Sequence, residues 1–101
     1  MSMANLQRMA AQMQQEMQRV QNELETTTVD GSAGGGVVTA TVTGKQEVIS
    51  ITIDPSAVDP DDVDMLQDLV VAAVNDALTN ARNLAEQKMA AVTGGLRIPG
   101  L

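Results

Sequence analysis

The order of apolar and polar residues along the chain predicts two long helices on either side of a short β region. In residues 3–24 the apolar side chains recur every seven positions in two series, which is the a/d seam of a coiled-coil helix. The two series are Met3, Ala10, Met17, Leu24 and Leu6, Met13, Val20. Most other positions are polar, so we expect this helix to lie against one partner, either the second helix or its own copy. A promiscuous methionine-lined binding groove is the weaker alternative.

Alternating apolar residues predict a β-hairpin in the middle of the chain, with strands at Val37–Thr43 and Gln46–Ile53. A two-residue loop is expected to pair Ala40 with Ile49, which puts the apolar residues of both strands on one face. A three-residue loop would put them on opposite faces. We expect helix to cover the apolar face and water to meet the other.

The glycine-rich run at residues 31–36 is interpreted as a turn between strands, because a β-prone segment precedes it and a strand follows it. A phosphate-binding loop is the weaker alternative, since the Lys-Ser/Thr ending and the following helix are both missing. Lys45 at the hairpin tip is interpreted as part of the turn, with an anion contact as the alternative.

A second helix is predicted from about Pro60 to Val92, with Asp59 as its N-cap and Gly94 and Gly95 at its end. Its apolar arc is wider than one neighbour requires. We interpret it as packing on the chain's own sheet and on a second copy, whereas a core helix of a monomer is the alternative. The predicted dimer interface consists of Leu69, Val70, Val71, Ala73, Val74, Ala77 and Leu78.

The composition limits the kinds of core and of functional site that the chain can form, because it has no Phe, Tyr, Trp, Cys or His. An aliphatic core buries less area per residue, which favours dimerisation. No nucleophile–base pair is readable, so we expect neither an enzyme nor a small-molecule substrate, cofactor or metal. The aspartates of residues 54–68 lack EF-hand spacing and are better explained by helix capping than by calcium.

No stretch is apolar enough for a membrane, and no signal peptide is visible, so a cytoplasmic protein is expected.

The net charge of −7 argues against nucleic acid until its distribution is considered. Seven aspartates and no base lie in residues 54–76, whereas both chain ends are nearly neutral or mildly basic. The acid is therefore one local block.

Several short motifs occur in a specific order and spacing. They are the Met/Gln-rich first helix, Val29–Gly36, Thr43-Gly44-Lys45, Ile53-Asp54-Pro55, Leu69–Ala77 and Thr93-Gly94-Gly95-Leu96. In this order they resemble the YbaB/EbfC family of nucleoid-associated DNA-binding proteins over nearly the whole length.

The resemblance implies an α+β fold in one domain, residues 1–101, which forms a tweezer-like homodimer with a shared core. Its parts would be a helical arm (1–25), an antiparallel hairpin or three-stranded sheet (26–53), a long helix (60–92) and a tail (93–101). It also implies a cytoplasmic, nucleoid protein that binds double-stranded DNA and alters its conformation. The family's DNA contacts lie on the arms, where this chain offers Arg8, Arg19, Arg82, Lys88 and Arg97.

Two functions remain open from the sequence. With few bases and no aromatic residue, DNA binding is expected to be salt-sensitive and largely independent of base sequence. The alternative is a coiled-coil scaffold or small chaperone-like adaptor that holds other proteins and does not bind DNA directly.

Overall fold

Two long helices flank a three-stranded antiparallel sheet in a computed structural model, which describes residues 2–95. The predicted α+β fold is therefore confirmed. The sheet order is β1-β2-β3, and short 3₁₀ turns follow β1 and β3. The elements are α1 (Met3–Thr26), β1 (Thr28–Ala33), β2 (Val38–Thr43), β3 (Val48–Ile53) and α2 (Val63–Gly95).

Helix α1 is continuous because residues 3–26 contain no Gly or Pro that would interrupt a helix. Ser2 caps its start by accepting a hydrogen bond from the backbone N–H of Asn5 at 3.2 Å. At its other end the Thr27 hydroxyl donates to the Glu23 carbonyl at 2.7 Å. The chain then turns directly into β1.

Helix α2 begins at Val63, later than the sequence indicates, and Asp59 is not its N-cap. The backbone N–H of Asp62 donates to the Asp59 carbonyl at 2.9 Å, which closes a turn around Pro60. The Asp62 carboxylate then accepts from the N–H of Met65 at 3.2 Å and caps the helix. At the far end the helix runs on through Gly94 and Gly95.

The hairpin register differs from the predicted one by two residues, because Ala40 faces Ile51 and not Ile49. The loop has three residues, Gly44 to Gln46, and Gln46 adopts a φ of 67°. A three-residue loop without any other irregularity would put the apolar residues of the two strands on opposite faces of the sheet. A bulge opposite Thr41/Val42 adds one more residue to β3, and this returns the apolar residues of both strands to the same face. The prediction that both apolar sets share a face is therefore right, although its register is wrong.

Gly34 to Gly36 form the turn between β1 and β2, as the sequence indicates, whereas residues 31–33, which were predicted to belong to that turn, form the end of strand β1. Gly34, Gly35 and Gly36 all have positive φ, at 63°, 73° and 96°. A β-branched side chain is strongly disfavoured in that conformation. The turn leads into strand β2, so the run does not precede a helix as a phosphate loop does.

The first half of α2 packs across β1 and β2 and forms the main core, in which six side chains are fully buried. Gly31 in β1 lets the helix approach the sheet closely, since a Cβ there would lie 2.1 Å from the Ala77 nitrogen. The six buried residues are Val38, Ala40, Val42, Ala73, Ala77 and Ala81. Every residue of β3 is exposed, because α2 does not cover this edge strand. The expectation that helix covers the apolar face of the hairpin is therefore right for β2 and wrong for β3.

The second half of α2 leaves the sheet and packs antiparallel on the end of α1. Its cluster consists of Val20, Leu24 and Val92, with Leu84, Ala85 and Met89 beside them. We call α1 together with residues 82–95 the arm, and residues 27–81 the body. The molecule measures 70 × 26 × 15 Å.

Candidate nucleic-acid interface

The arm and the body differ sharply in charge. The arm has four bases and four acids, which are Arg8, Arg19, Arg82, Lys88 and Glu16, Glu23, Glu25, Glu86. The body has one base, Lys45, against nine acids, which are Asp30, Glu47, Asp54, Asp59, Asp61, Asp62, Asp64, Asp68 and Asp76. Because like charges repel, a polyanion meets a barrier at the body and none at the arm.

Glu23 joins the two helices of the arm electrostatically. Its carboxylate accepts from Lys88 Nζ at 3.0 Å and also from the Arg19 guanidinium. Arg19 reaches Glu16 on its other side, with Nη2 at 2.8 Å from Oε2. Two of the five bases predicted to bind DNA, Arg19 and Lys88, are therefore paired with acids within the arm.

These contacts shift the pKa values of both partners. The hydrogen bond from Lys88 is the main cause that lowers the pKa of Glu23 below its ordinary value, and the charges of Lys88 and Arg19 act in the same direction. The hydrogen bond and charge of Glu16 raise the pKa of Arg19. Glu23 is therefore ionised at neutral pH, and its charge offsets part of the positive charge around it.

Arg8 and Arg19 lie on one face of α1. They are separated by eleven residues, which places them about 20° apart around the helix axis and on the same side. Amide side chains fill the space between and beyond them. We call this set, Arg8, Gln12, Gln15, Arg19 and Asn22, the polar stripe. Guanidinium and amide groups both donate hydrogen bonds, so the stripe suits an extended anionic ligand.

Of the polar stripe, only the two arginines are among the residues predicted to bind DNA, and the three amides are not. Gln12, Gln15 and Asn22 are exposed on α1, as are both arginines. The signal that identifies the amides was present, because spacings of three and four residues repeat along one side of a helix.

The remaining bases are dispersed. Arg82 donates to the Thr79 hydroxyl at 3.1 Å. In the part of the chain that the structure describes, neither Arg8 nor Arg82 forms a salt bridge. Lys45 contacts Gln21 near the base of the arm. Arg97 lies outside the described residues.

The predicted dimer-interface residues divide into three groups by exposure. Ala73 and Ala77 are fully buried against the chain's own sheet. Val71 is 58% exposed. The others are half-buried beside the core, namely Leu69, Val70, Val74 and Leu78.

A model of the YbaB/EbfC DNA-binding family matches residues 1–96. The chain belongs to the YbaB/EbfC DNA-binding family. The resemblance noted in the sequence is therefore confirmed.

Relatives of this YbaB/EbfC chain include a nucleoid-associated protein of Chloroflexus aurantiacus, 55% identical over 96% of this chain and 97% of the relative. A nucleoid-associated protein of Moorella thermoacetica is 50% identical over 99% of each chain. The crystal structure of the uncharacterized protein HP0035 from Helicobacter pylori matches with a TM-score of 0.66 at 20% identity, covering 95% of this chain and 97% of that one. At this identity the last match shows the fold alone.

Two other features of this YbaB/EbfC chain bear on its chemistry. Within residues 2–95, no group of three or more acids is arranged to hold a metal ion. Neither described helix combines the length and apolar character of a membrane span.

Proposed function

We propose that this chain is a cytoplasmic, nucleoid-associated protein that binds double-stranded DNA as a homodimer and alters its conformation. Family membership and the names of its relatives support DNA as the ligand. The charge separation between arm and body carries the proposal for this chain, because it leaves the arm as the part that phosphates can approach. DNA meets the polar stripe of α1.

Binding of this kind reads the phosphate backbone and not the bases. Arg8 contacts a phosphate directly, and the amides of Gln12 and Gln15 donate to neighbouring phosphate or sugar oxygens. Arg19 contributes once a phosphate competes with Glu16 for its guanidinium. Arg82 adds a second contact from α2, and Arg97 a third from beyond the described residues. Lys88 acts indirectly, because it holds α2 to α1 through Glu23.

The exposed apolar surface of the body supports a homodimer. Ile49, Ile51 and Ile53 of the edge strand are 56%, 41% and 36% exposed. Met65 and Val71 on α2 are 43% and 58% exposed. A second copy that lays its α2 against β3 buries both sets at once, and Leu69, Val70, Val74 and Leu78 lie at the margin of that contact. Ala73 and Ala77 contribute to this interface only indirectly, because their small side chains keep α2 close to β1.

The total surface area agrees with a missing partner. The chain exposes 6850 Å², whereas a compact monomer of 10.6 kDa exposes about 5500 Å². The difference is larger than the roughly 800 Å² that each partner buries in a standard interface.

The test is a DNA titration by fluorescence anisotropy across ionic strength, with the variants Arg8→Gln and Lys45→Gln. Both variants remove one positive charge, but only Arg8 lies on the polar stripe. For Arg8→Gln we expect weaker binding and a salt slope that falls by about one per chain, since one phosphate contact is lost. Lys45→Gln is expected to change the slope much less. Equal slopes for the two variants would contradict the assignment to the arm.

A protein-interaction scaffold is the second candidate, and the exposed methionine-rich half of α1 favours it. Met3 is 72% exposed and Met17 is 40% exposed. If purified protein fails to bind duplex DNA even at low salt, while tagged protein retains the same partner proteins after nuclease treatment, the scaffold is the better account.

A further inference from the structure

The heptad seam of α1 is only partly used within the chain. Its last residues, Val20 and Leu24, are each 2% exposed in the arm cluster. The earlier residues have no such cover, since Met3, Leu6 and Met17 are 72%, 51% and 40% exposed. We call the earlier part the free seam, and it consists of Met3, Leu6, Ala10, Met13 and Met17.

We propose that the free seam pairs with the free seam of a second copy of this chain. The first argument is continuity with an established contact. Met13 and Met17 lie on the same side of α1 as Val20 and Leu24, because spacings of three, four and seven residues repeat on one face. The buried end of the seam already packs against a helix, α2, so a second helix laid along the free seam extends that packing without changing its register.

The charges beside the seam determine which helix fits. In paired helices the residues flanking the seam usually carry charges that select a partner. Here the flanking positions of the first two repeats are Gln7, Met9, Gln14 and Glu16, and only Glu16 carries a charge, which pairs with Arg19 of its own helix. Met9 is 36% exposed and widens the apolar surface. Because the one flanking charge is paired within its own helix, the flanks contribute little to select a foreign charged helix and little to repel an identical one.

The position of Arg8 leads to the same conclusion. It is the only charged residue between Met3 and Gln15, and it lies on the polar stripe, opposite the seam. Two copies paired through their free seams therefore keep these arginines apart. The polar stripes point outward, so self-pairing leaves both of them open to DNA. An assembly of this kind presents two DNA-binding faces on one helix pair.

This inference depends on α1 alone and does not require the body interface or DNA binding. The Val71→Asp substitution places a charge on the exposed side of α2 in the body. If the body interface is real, Val71→Asp removes it and leaves the pairing of free seams intact. Failure of the two proposals can therefore be distinguished.

Cysteine cross-linking tests the pairing directly, because the natural chain contains no cysteine. The variant Met13→Cys places a thiol on the free seam, and the matched control Gln15→Cys places one on the polar stripe. Under mild oxidation we expect interchain disulfides to form at least about tenfold faster at position 13, since a disulfide requires Cα atoms within about 7 Å. The difference is expected to persist when Val71→Asp is added. Equal rates at the two positions would overturn the proposal.

Sedimentation velocity provides a second test that involves no covalent bond. Leu6→Asp and Gln15→Asp add the same charge to α1, but only the first is on the free seam. We expect Leu6→Asp to shift the distribution toward smaller species at micromolar concentration, while Gln15→Asp leaves it as in the natural chain. Circular dichroism serves as the check that both variants remain folded. An unchanged distribution for folded Leu6→Asp would overturn the proposal.

Discussion

The arm and the body are built from the same aliphatic residues but pack them in different ways. In the body, α2 lies so close to β1 that Gly31 has no room for a Cβ, and small alanines fill the contact. In the arm, larger side chains such as Leu24 and Met89 meet along a single stripe. The body therefore has a dense core, whereas the arm is held together along one line.

The two regions also differ in what they leave exposed. The body exposes apolar residues on β3 and α2 among nine acids, and that surface suits a second copy better than a polyanion. The arm has no net charge and exposes arginines and amides on one side. This difference is the basis of our proposal that the body associates with a second copy and the arm reaches the DNA.

The largest expected effect tests the dense packing of the body. Gly31→Ala forces a methyl group to within 2.1 Å of the Ala77 nitrogen, so the sheet and helix must separate. We expect the free energy of unfolding to fall by about 3 kcal/mol or more. Gly94→Ala is the matched control in the arm, because nothing lies within 4 Å of its Cβ position. Thermal unfolding should show a large loss for the first variant and none for the second.

A smaller, local effect is expected in the arm. Leu24→Ala removes a side chain that is 2% exposed from the arm cluster, at a cost of about 2 kcal/mol. Because the arm is joined along one line, amide exchange should accelerate in α1 and in residues 82–95 while β2 stays protected. Gln15→Ala, at an exposed position of α1 outside the free seam, should change stability by no more than about 0.5 kcal/mol. Loss of protection throughout the sheet would show that arm and body unfold as one unit.

Charge provides the next test of the division. Replacing Asp61, Asp64 and Asp68 with Asn reduces the repulsion between the body and DNA without touching the arm. We expect about threefold tighter binding to duplex DNA at low salt, and the gain should disappear near 1 M salt, where the screening length is about 3 Å. Unchanged affinity at low salt would mean that the acids of the body lie too far from bound DNA to matter.

The smallest expected effect concerns pH. The pKa of Glu23 is lowered in the folded arm, mainly by the hydrogen bond from Lys88. Its contribution to the arm is therefore fully present above the ordinary glutamate pKa of about 4.3 and is lost as the pH falls through the lower, folded value. NMR titration should place the midpoint of Glu23 below the ordinary glutamate pKa. Glu23→Gln should remove the pH dependence of the Val20 and Val92 methyl shifts, whereas Glu25→Gln should leave it.

Much of the fold could be predicted because periodicity reports it directly. The seven-residue repeat of α1 and the alternation of the hairpin are visible in one sequence. The hairpin register was not accessible, since it depends on the positive φ of Gln46 and on a bulge in β3. The start of α2 was misplaced because Asp59 and Asp62 are both plausible caps, and only the turn around Pro60 decides between them.

The candidate site could be predicted only in part. Arginines on α1 are apparent from the sequence, but their partners are not. Lys88 and Glu23 are 65 positions apart, and only the antiparallel arm brings them together. The alanine stripe of α2 was ambiguous in a similar way, because Gly31 and a second copy are equally good neighbours for small side chains until the sheet is placed.

Hydrogen exchange of the full chain with and without duplex DNA tests the division between arm and body most directly. The account predicts that DNA slows exchange in residues 3–19, around the polar stripe, and leaves the acidic residues 59–68 unchanged. Protection of residues 59–68 with none in α1 would contradict it.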